Sequence, residues 1–308
     1  MILQDTQNLT VRAPAPAWFN DAITSKHESR FVDVDGCAIH YLVWPNQDAN
    51  AGARGLLFVH GGGAHANWWR FIAPFFARDF RVAALDLSGM GDSGARDDYS
   101  AGVRAREISA VLAAANLGEK PFVVGHSFGG YMTMRFGAEF GELLGGAVIA
   151  DSPIRRPDDK VDGDTPPRTM SKPRLYPDFE TGLARFALRP AQTCENNFIV
   201  EFIGRHSLKQ VEGGWTWKFD TNVMDPRRFG EPFNEHLANV KCRAALLFGQ
   251  NSALVSRATA TYMSELMGPD APVIEIPEAQ HHLMLDQPLA FVAALRAVLE
   301  TWLRTASN

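Results

Sequence analysis

Cysteine is scarce in this sequence, with three residues among 308, namely Cys37, Cys194 and Cys242. They lie far apart, their number is odd, and no two of them form a C-x-x-C pair. Such a set argues against a disulfide framework and favours a reducing compartment, so we expect a cytoplasmic protein. The chain also lacks the basic start and apolar core of a signal peptide, and none of its apolar runs approaches the roughly 20 residues that a membrane helix needs.

The chain has little excess of one charge. Its formal net charge is −5, and no run of lysine or arginine stands out. We therefore expect neither a nucleic acid nor an anionic membrane surface as a partner. Three histidines, His60, His65 and His126, do not show a ligand spacing such as H-x-x-x-H on a helix, so we expect no metal site.

Short apolar runs alternate with helical patterns along most of the chain. Strands are predicted at 55–60, 81–87, 122–124, 147–150, 244–248 and 273–276, and helices at 101–116, 256–267 and 289–303. A further helix is predicted from Trp68 through Phe76. This alternation indicates an α/β fold with a mostly parallel sheet covered by helices on both faces. Ahead of it, residues 31–34 and 38–44 predict a hairpin around Asp35 and Gly36.

Two segments stand outside this alternation. Residues 1–28 are polar and contain prolines, and we interpret them as an arm that packs on the core through its aromatic residues or is partly disordered. Residues 152–240 are rich in proline and charge, and the alternation of strands and helices stops there. We interpret this stretch as a mainly helical cap inserted after the sixth strand, with 29–151 and 241–308 forming the core.

The stretch from Pro121 to Gly137 carries the strongest functional signal. A buried strand ends at Gly125, a helical pattern begins near Tyr131, and the chain between them reads Gly125-His126-Ser127-Phe128-Gly129. This matches G-x-S-x-G, a turn so tight that only glycine fits two residues before and two residues after the serine. The turn lifts the serine hydroxyl out of the sheet edge. We interpret Ser127 as a nucleophile. The alternative is an ordinary glycine-rich connection with an exposed serine.

Four motifs make the sequence similar to the α/β-hydrolase family over roughly residues 29 to 304. They are His60-Gly61-Gly62-Gly63, the run from Asp86 to Gly94, the G-x-S-x-G turn, and Gln280-His281-His282 ahead of Pro288. The resemblance implies the α/β-hydrolase fold and a Ser–His–acid triad that cleaves esters, amides or carbon–carbon bonds. It also implies that no cofactor is used, and we expect a small-molecule ester substrate and a monomer or homodimer.

Ser127 needs a base, because a neutral hydroxyl is a poor nucleophile near neutral pH. His281 fits, since it follows the last predicted strand and stands seven residues before Pro288, as the family histidine does. The chain order of serine, acid and histidine also agrees with this fold. His282 is the competing candidate for the base. The alternative for either residue is a surface loop histidine.

The acid departs from the usual family pattern. Many relatives place aspartate three residues after the glycine that closes the seventh strand, but here Gly249 is followed by Ser252 at that position. A hydroxyl cannot carry the negative charge that stabilises an imidazolium. The family's other location lies at the end of the sixth strand, where Asp151 stands, and we assign Asp151 as the acid. The alternatives are that Asp151 caps a helix, or that Ser252 or water orients His281.

The resemblance also implies an oxyanion hole and a pocket. The main-chain N–H groups of Gly62 and Phe128 are the implied donors to the developing negative charge. Gly63 lets the backbone approach a substrate closely. Candidate pocket residues are His126, Trp68, Trp69, Trp215 and Trp217. For the tryptophans, packing in the core or cap is the plainer alternative.

Three functions follow from these residues. The leading hypothesis is a serine hydrolase of small or medium carboxylic esters, a carboxylesterase that works through an acyl-Ser127 intermediate. A carbon–carbon hydrolase of ring-cleavage products is the rival enzyme, and it needs a cationic anchor such as Arg155, Arg156 or Arg205. The third hypothesis is a receptor that binds a ligand on a hydrolase scaffold with little turnover.

Overall fold

A sheet of eight strands lies at the centre of the computed structural model, which describes residues 14–45, 53–158, 174–224 and 231–305. The strand order is β1-β2-β4-β3-β5-β6-β9-β10. Its strands are β1 Glu28–Val34, β2 Cys37–Trp44, β3 Gly55–Val59, β4 Arg81–Leu85, β5 Phe122–His126, β6 Gly146–Ala150, β9 Ala244–Gly249 and β10 Val273–Ile276. β1 and β2 pair antiparallel, as do β2 and β4, whereas the remaining neighbours are parallel. The predicted α/β-hydrolase fold is confirmed.

The first hairpin follows the sequence prediction. Val34 pairs with Cys37, and the two turn residues, Asp35 and Gly36, have φ of 53° and 78°. Positive φ at both central positions is what a two-residue turn of type I′ requires, and aspartate followed by glycine adopts it readily.

Helices cover both faces of the sheet. Their bounds are α1 Ala17–Thr24, α2 Ala101–Ala114, α3 Phe128–Phe140, α4 Phe179–Leu183, α5 Asn197–His206, α6 Phe233–Ala238, α7 Arg257–Met267, α8 Leu283–Asp286 and α9 Pro288–Thr305. Leu56 and Phe58 of β3 pack in the apolar cluster that contains α1 and α9, while Leu57 and Val59 pack in the cluster that contains α2, α3 and α7. Since successive side chains of a strand point to opposite faces, β3 is apolar throughout. No helix in the described ranges has the length and apolarity to cross a membrane.

The described part of the N-terminal arm is helix α1. Phe19 is buried, and its ring lies 4.8 Å from the ring of Phe198 on α5 and 6.0 Å from that of Phe71. The aromatic side chains of the arm therefore pack against the protein. Residues 1–13 lie outside the described residues.

The predicted helix from Trp68 through Phe76 is wrong. The chain forms two separate 3₁₀ turns instead, Ala66–Trp69 and Ala73–Phe75. Pro74 lies in the second turn, and proline has no N–H to donate within a helix. A continuous α-helix through this point would lose a backbone hydrogen bond, so the chain changes direction.

The segment 152–240, here called the insert, follows β6 and precedes β9. It contains a short antiparallel hairpin that the sequence analysis did not predict, formed by β7 Leu208–Val211 and β8 Gly214–Trp217. Its turn contains Gly213, whose φ is 84°. Each strand has only four residues, which is too short for alternation to stand out. Helices α4, α5 and α6 make up the rest of its regular structure that the described residues show, apart from a 3₁₀ turn at Thr221–Met224.

The insert packs on the loops that follow β3 and β4. His65 and Ser207 are hydrogen-bonded at 2.9 Å, and the N–H of Gly91 donates to the carbonyl of Lys218 at 2.8 Å. Met90 and Phe219 form an isolated antiparallel bridge. These loops lie at the carboxyl end of the sheet, where parallel α/β proteins bind their ligands.

Candidate active site

The turn between β5 and α3 holds Ser127 in a strained backbone conformation, with φ of 52° and ψ of −117°. Both flanking glycines are required by close backbone contacts. A Cβ atom at Gly125 would lie 2.2 Å from the carbonyl oxygen of Gly129, and one at Gly129 would lie 2.4 Å from that of Val59. Strain of this kind persists only where the surrounding structure imposes it, and it is concentrated at functional sites.

A hydrogen-bonded line of three side chains runs through this turn. His281 Nε2 lies 3.0 Å from Ser127 Oγ, and His281 Nδ1 lies 2.9 Å from Asp151 Oδ1. The carboxylate is fully buried and the imidazole is almost so. The three residues lie after β5, after β6 and after β10, so the topology of the sheet brings them together from distant parts of the chain.

The Asp151 carboxylate accepts two further hydrogen bonds. The N–H of Gly249 donates to Oδ2 at 2.8 Å, and the Ser252 hydroxyl donates to Oδ1 at 2.6 Å. Ser252 Oγ itself accepts from the N–H groups of Leu254 and Val255, both at 3.1 Å, so its own hydrogen points at the carboxylate. Ser252 and the imidazole of His281 are therefore both hydrogen-bonded to the Asp151 carboxylate.

The turn has a second support that the sequence did not reveal. The Ser152 hydroxyl donates to the carbonyl of Ser127 at 2.6 Å. Gly130 makes room for it, because a Cβ atom at that position would lie 1.9 Å from Ser152 Oγ. A serine directly after a strand gives no signal of such a contact.

Two more histidines lie against His281. His282 packs against Trp68 at a ring distance of 5.3 Å, and burial lowers the pKa of His282 to about 3. His126 is also buried, and burial lowers its pKa well below the ordinary value. His281 and His282 were the two candidates for the base, and His281 is the one that lies within hydrogen-bonding distance of Ser127.

The glycine loop after β3 lies beside Ser127. The N–H of Ala64 donates to the carbonyl of Gly61 at 3.2 Å, which closes a turn whose second central residue, Gly63, has φ of 67°. A Cβ atom at Gly61 would lie 3.4 Å from the Cβ of Ser127. Gly62 is exposed at this turn, while Phe128 is buried in the first turn of α3. The loop and the helix thus flank the serine on two sides.

His60 and Asp86 form hydrogen bonds that hold the loops after β3 and β4. His60 Nε2 accepts from the N–H of Leu87, and Nδ1 is hydrogen-bonded to the carbonyl of Gly61 at 2.7 Å. Asp86 accepts from the N–H of Asp92 and is bonded to His40 at 2.7 Å. Burial alone would raise the pKa of Asp86, but the hydrogen bond and the charge of His40 outweigh it and lower that pKa to about 2. These motif residues therefore support the site from the β3 and β4 loops.

Two groups of side chains bring possible metal-ligand atoms within 4.8 Å of one another, namely His126 with His281 and His282, and His40 with Asp86 and Asp92. In the first group, both ring nitrogens of His281 already bond to Asp151 and Ser127. In the second, His40 Nδ1 bonds to Asp86. In each group, at least one of the possible ligand atoms is therefore already engaged in a hydrogen bond within the protein.

The tryptophans predicted for the pocket are spread over different regions. The prediction for Trp69 is wrong, because its side chain is 1% exposed and its ring stacks on Phe58 in the core at 4.7 Å. Trp68 is buried beside His282. The other two pack within the insert, Trp215 against Phe179 and Trp217 against Tyr176 and Phe186.

Comparison with known proteins identifies the class to which this protein belongs. A family described as "Alpha/beta hydrolase family" matches residues 56–295. This range includes Ser127, Asp151 and His281. The chain belongs to the α/β-hydrolase family and is a hydrolase.

Several individual proteins are similar to this chain in sequence or in structure. The chain is 25% identical over 277 residues to esterase Rv0045c of Mycobacterium tuberculosis, covering 87% of this chain and 88% of that protein. It is 32% identical over 140 residues to the 2-hydroxy-6-oxo-6-(2'-aminophenyl)hexa-2,4-dienoic acid hydrolase of Metapseudomonas resinovorans, a match that covers 43% of this chain and 46% of the relative. Among solved structures, E-2-(acetamidomethylene)succinate hydrolase has a TM-score of 0.74 at 20% identity, over 89% of this chain and 100% of that one, which shows the shared fold.

Proposed function

We propose that this protein is a serine hydrolase that cleaves small or medium carboxylic esters through an acyl-Ser127 intermediate. The observation that carries the proposal is the continuous line from Asp151 through His281 to Ser127, with contacts of 2.9 Å and 3.0 Å. Nucleophile, base and acid are within hydrogen-bonding reach of one another, which is the geometric requirement for this chemistry. Asp151 holds the tautomer in which His281 Nε2 is free to accept a proton.

The reaction follows from these positions. His281 Nε2 takes the Ser127 proton as Oγ attacks the ester carbonyl, and the oxygen of the tetrahedral intermediate accepts hydrogen bonds from the N–H groups of Phe128 and Gly62. The intermediate collapses, the C–O bond to the alcohol breaks, and the imidazolium returns its proton to the leaving oxygen. His281 then takes a proton from water, which attacks the acyl carbonyl; the bond between the acyl group and Ser127 Oγ breaks, the imidazolium returns its proton to Oγ, and the carboxylic acid is released. Each oxyanion donor supplies about 3 kcal/mol of transition-state stabilisation.

Ester hydrolysis is favoured over carbon–carbon cleavage by two observations. Esterase Rv0045c is matched over 88% of its length, whereas the dienoic acid hydrolase is matched over 46% of its length. Two of the three candidate carboxylate anchors are held elsewhere, since Arg156 pairs with Glu265 and Arg205 with Glu201. Arg155 is exposed and is the remaining candidate.

The insert takes the role of a cap in this proposal. Its contacts with the loops after β3 and β4, such as His65 to Ser207, support this role, because Ser127 follows a strand at the same end of the sheet. A cap at this position screens the acyl-enzyme from bulk water and shapes the entry for a small-molecule ester.

The test compares wild-type protein with Ser127→Ala on p-nitrophenyl acetate and butyrate, with a fluorophosphonate probe as a second readout. Ser256→Ala serves as the matched control, because Ser256 caps α7 and does not contact the triad. We expect Ser127→Ala to lose labelling and nearly all turnover, while the control keeps both. Wild-type turnover of Ser127→Ala would refute the proposal. A ring-cleavage dienoate that is hydrolysed faster than either ester would favour the carbon–carbon alternative, and a folded wild type without labelling would favour the receptor.

A further inference from the structure

His126, the residue before the serine, is directed at the base rather than at the opening of the site. Its Nε2 lies 3.0 Å from the main-chain carbonyl oxygen of His281, and its ring centroid lies 4.8 Å from that of His281. The side chain is 1% exposed. We infer that His126 is a positioning residue, which holds the His281 loop at the correct distance from Ser127 by donating a hydrogen bond to that carbonyl. This inference rests on the proposed function.

The proton on His126 can be assigned from the contact. A carbonyl oxygen only accepts, so Nε2 must carry the hydrogen. Burial lowers the pKa of His126 well below its ordinary value, so the ring is neutral near neutral pH and Nδ1 carries no hydrogen. Nδ1 faces the glycine loop, where a Cβ atom at Gly61 would lie 3.2 Å away. The imidazole ring of His126 therefore lies between the loop that contains Gly61 and the loop that contains His281.

This contact links the positions of nucleophile and base. His126 and Ser127 are consecutive, so a shift of the turn moves both the hydroxyl and the donor that holds His281. Asp151 fixes the imidazole of His281 through Nδ1, while His126 fixes its main chain. Without the second contact, the loop after β10 has one fewer tether, and the 3.0 Å separation from Ser127 Oγ is free to lengthen. A displacement of about 1 Å is enough to reduce turnover about 100-fold.

The test uses two substitutions that separate hydrogen bonding from packing. His126→Gln places an amide N–H the same number of bonds from Cβ as Nε2, whereas His126→Phe keeps an aromatic ring and loses the donor. We expect Phe to lower kcat and the fluorophosphonate labelling rate by about 10- to 100-fold with KM nearly unchanged. We expect Gln to recover most of both rates, even though Phe better preserves the ring packing.

Phe equal to or better than Gln would overturn the inference, because ring packing would then be what matters. Since both variants alter a buried site, wild-type protein supplies an independent measurement: ¹⁵N shifts of the His126 ring should report a neutral Nε2–H tautomer. A Nδ1–H tautomer would also overturn the inference. Failure of the proposed function is distinguishable, because the wild type would then show no labelling at Ser127.

Discussion

Asp151→Asn and Ser252→Ala alter one hydrogen-bond cluster, and the structure predicts very different losses. Three donors converge on the Asp151 carboxylate: His281 Nδ1 and Ser252 Oγ on Oδ1, and the N–H of Gly249 on Oδ2. A carboxylate accepts at both oxygens, whereas an asparagine amide accepts at one and donates at the other.

Neither orientation of the amide that Asp151→Asn introduces satisfies this cluster. If its NH₂ group faces Gly249, two donors oppose each other in a buried site. If its NH₂ group faces His281, Nδ1 must lose its hydrogen, and Nε2 then carries one and cannot take the proton of Ser127. The wrong tautomer in a Ser–His–Asp triad lowers kcat about 10⁴-fold, which is the loss that we expect.

Ser252→Ala removes one donor and leaves the other two. A hydrogen bond to a charged group contributes about 1.5–3 kcal/mol. At about 1.4 kcal/mol for each factor of ten, full transfer of that energy to the barrier reduces kcat by roughly 10- to 100-fold. Asp151→Asn should therefore be at least about 100-fold more damaging than Ser252→Ala.

Steady-state kcat on p-nitrophenyl butyrate measures both losses, and thermal unfolding checks that each variant is folded. Ser256→Ala is again the control, since it removes a helix cap in the same region at a cost of about 1 kcal/mol in stability and should leave kcat unchanged. Full activity of Asp151→Asn together with collapse of Ser252→Ala would refute the assignment of the acid.

Two further predictions concern the turn and the dependence of stability on pH. Gly130→Ala should lower both kcat and Tm, because its Cβ would lie 1.9 Å from Ser152 Oγ, whereas Gly102→Ala, with no atom nearer than 3.9 Å, should raise stability by about 1 kcal/mol. Equal Tm values for the two variants would contradict the contact. Burial lowers the pKa of His65 and of His282 to about 3 from 6.5, so below about pH 6.5 the unfolded chain binds protons that the folded protein does not. The free energy of unfolding should fall by roughly 2 kcal/mol per histidine between about pH 7 and pH 5, and His65→Asn should flatten a urea-denaturation series over that range. A flat wild-type series would contradict this prediction.

The sequence predicted the strands and the residues that meet at the site because both leave local patterns. The β3 strand is a continuous apolar run, and the spacing of Gly125 and Gly129 around Ser127 is a requirement of the turn that the structure shows in close contacts. The hairpin of the insert was missed because β7 and β8 are four residues each, and the backbone bridge that Trp215 of β8 forms with Tyr176 joins residues distant in sequence.

The sequence also did not predict the direction in which some side chains of the site point. His126 was predicted as a pocket residue, but whether a side chain beside a strained turn points outward or under a neighbouring loop depends on contacts far away in sequence, here with His281. Ser252 was considered as a substitute for the acid, and the structure shows a hydroxyl that donates to Asp151. A pattern of residue types does not specify such long-range pairings.

The order in which Ser127, Asp151 and His281 occur along the chain has a consequence for biosynthesis. β5, α3 and β6 are consecutive, so the ribosome delivers the hydroxyl and the carboxylate in one short stretch, and the imidazole follows only after the insert, β9 and β10. A nascent polypeptide thus holds an unactivated serine while most of the sheet is already made. His281 follows β10, so its hydrogen bond to Ser127 can form only after β10, the last strand of the sheet to be synthesised, has been made.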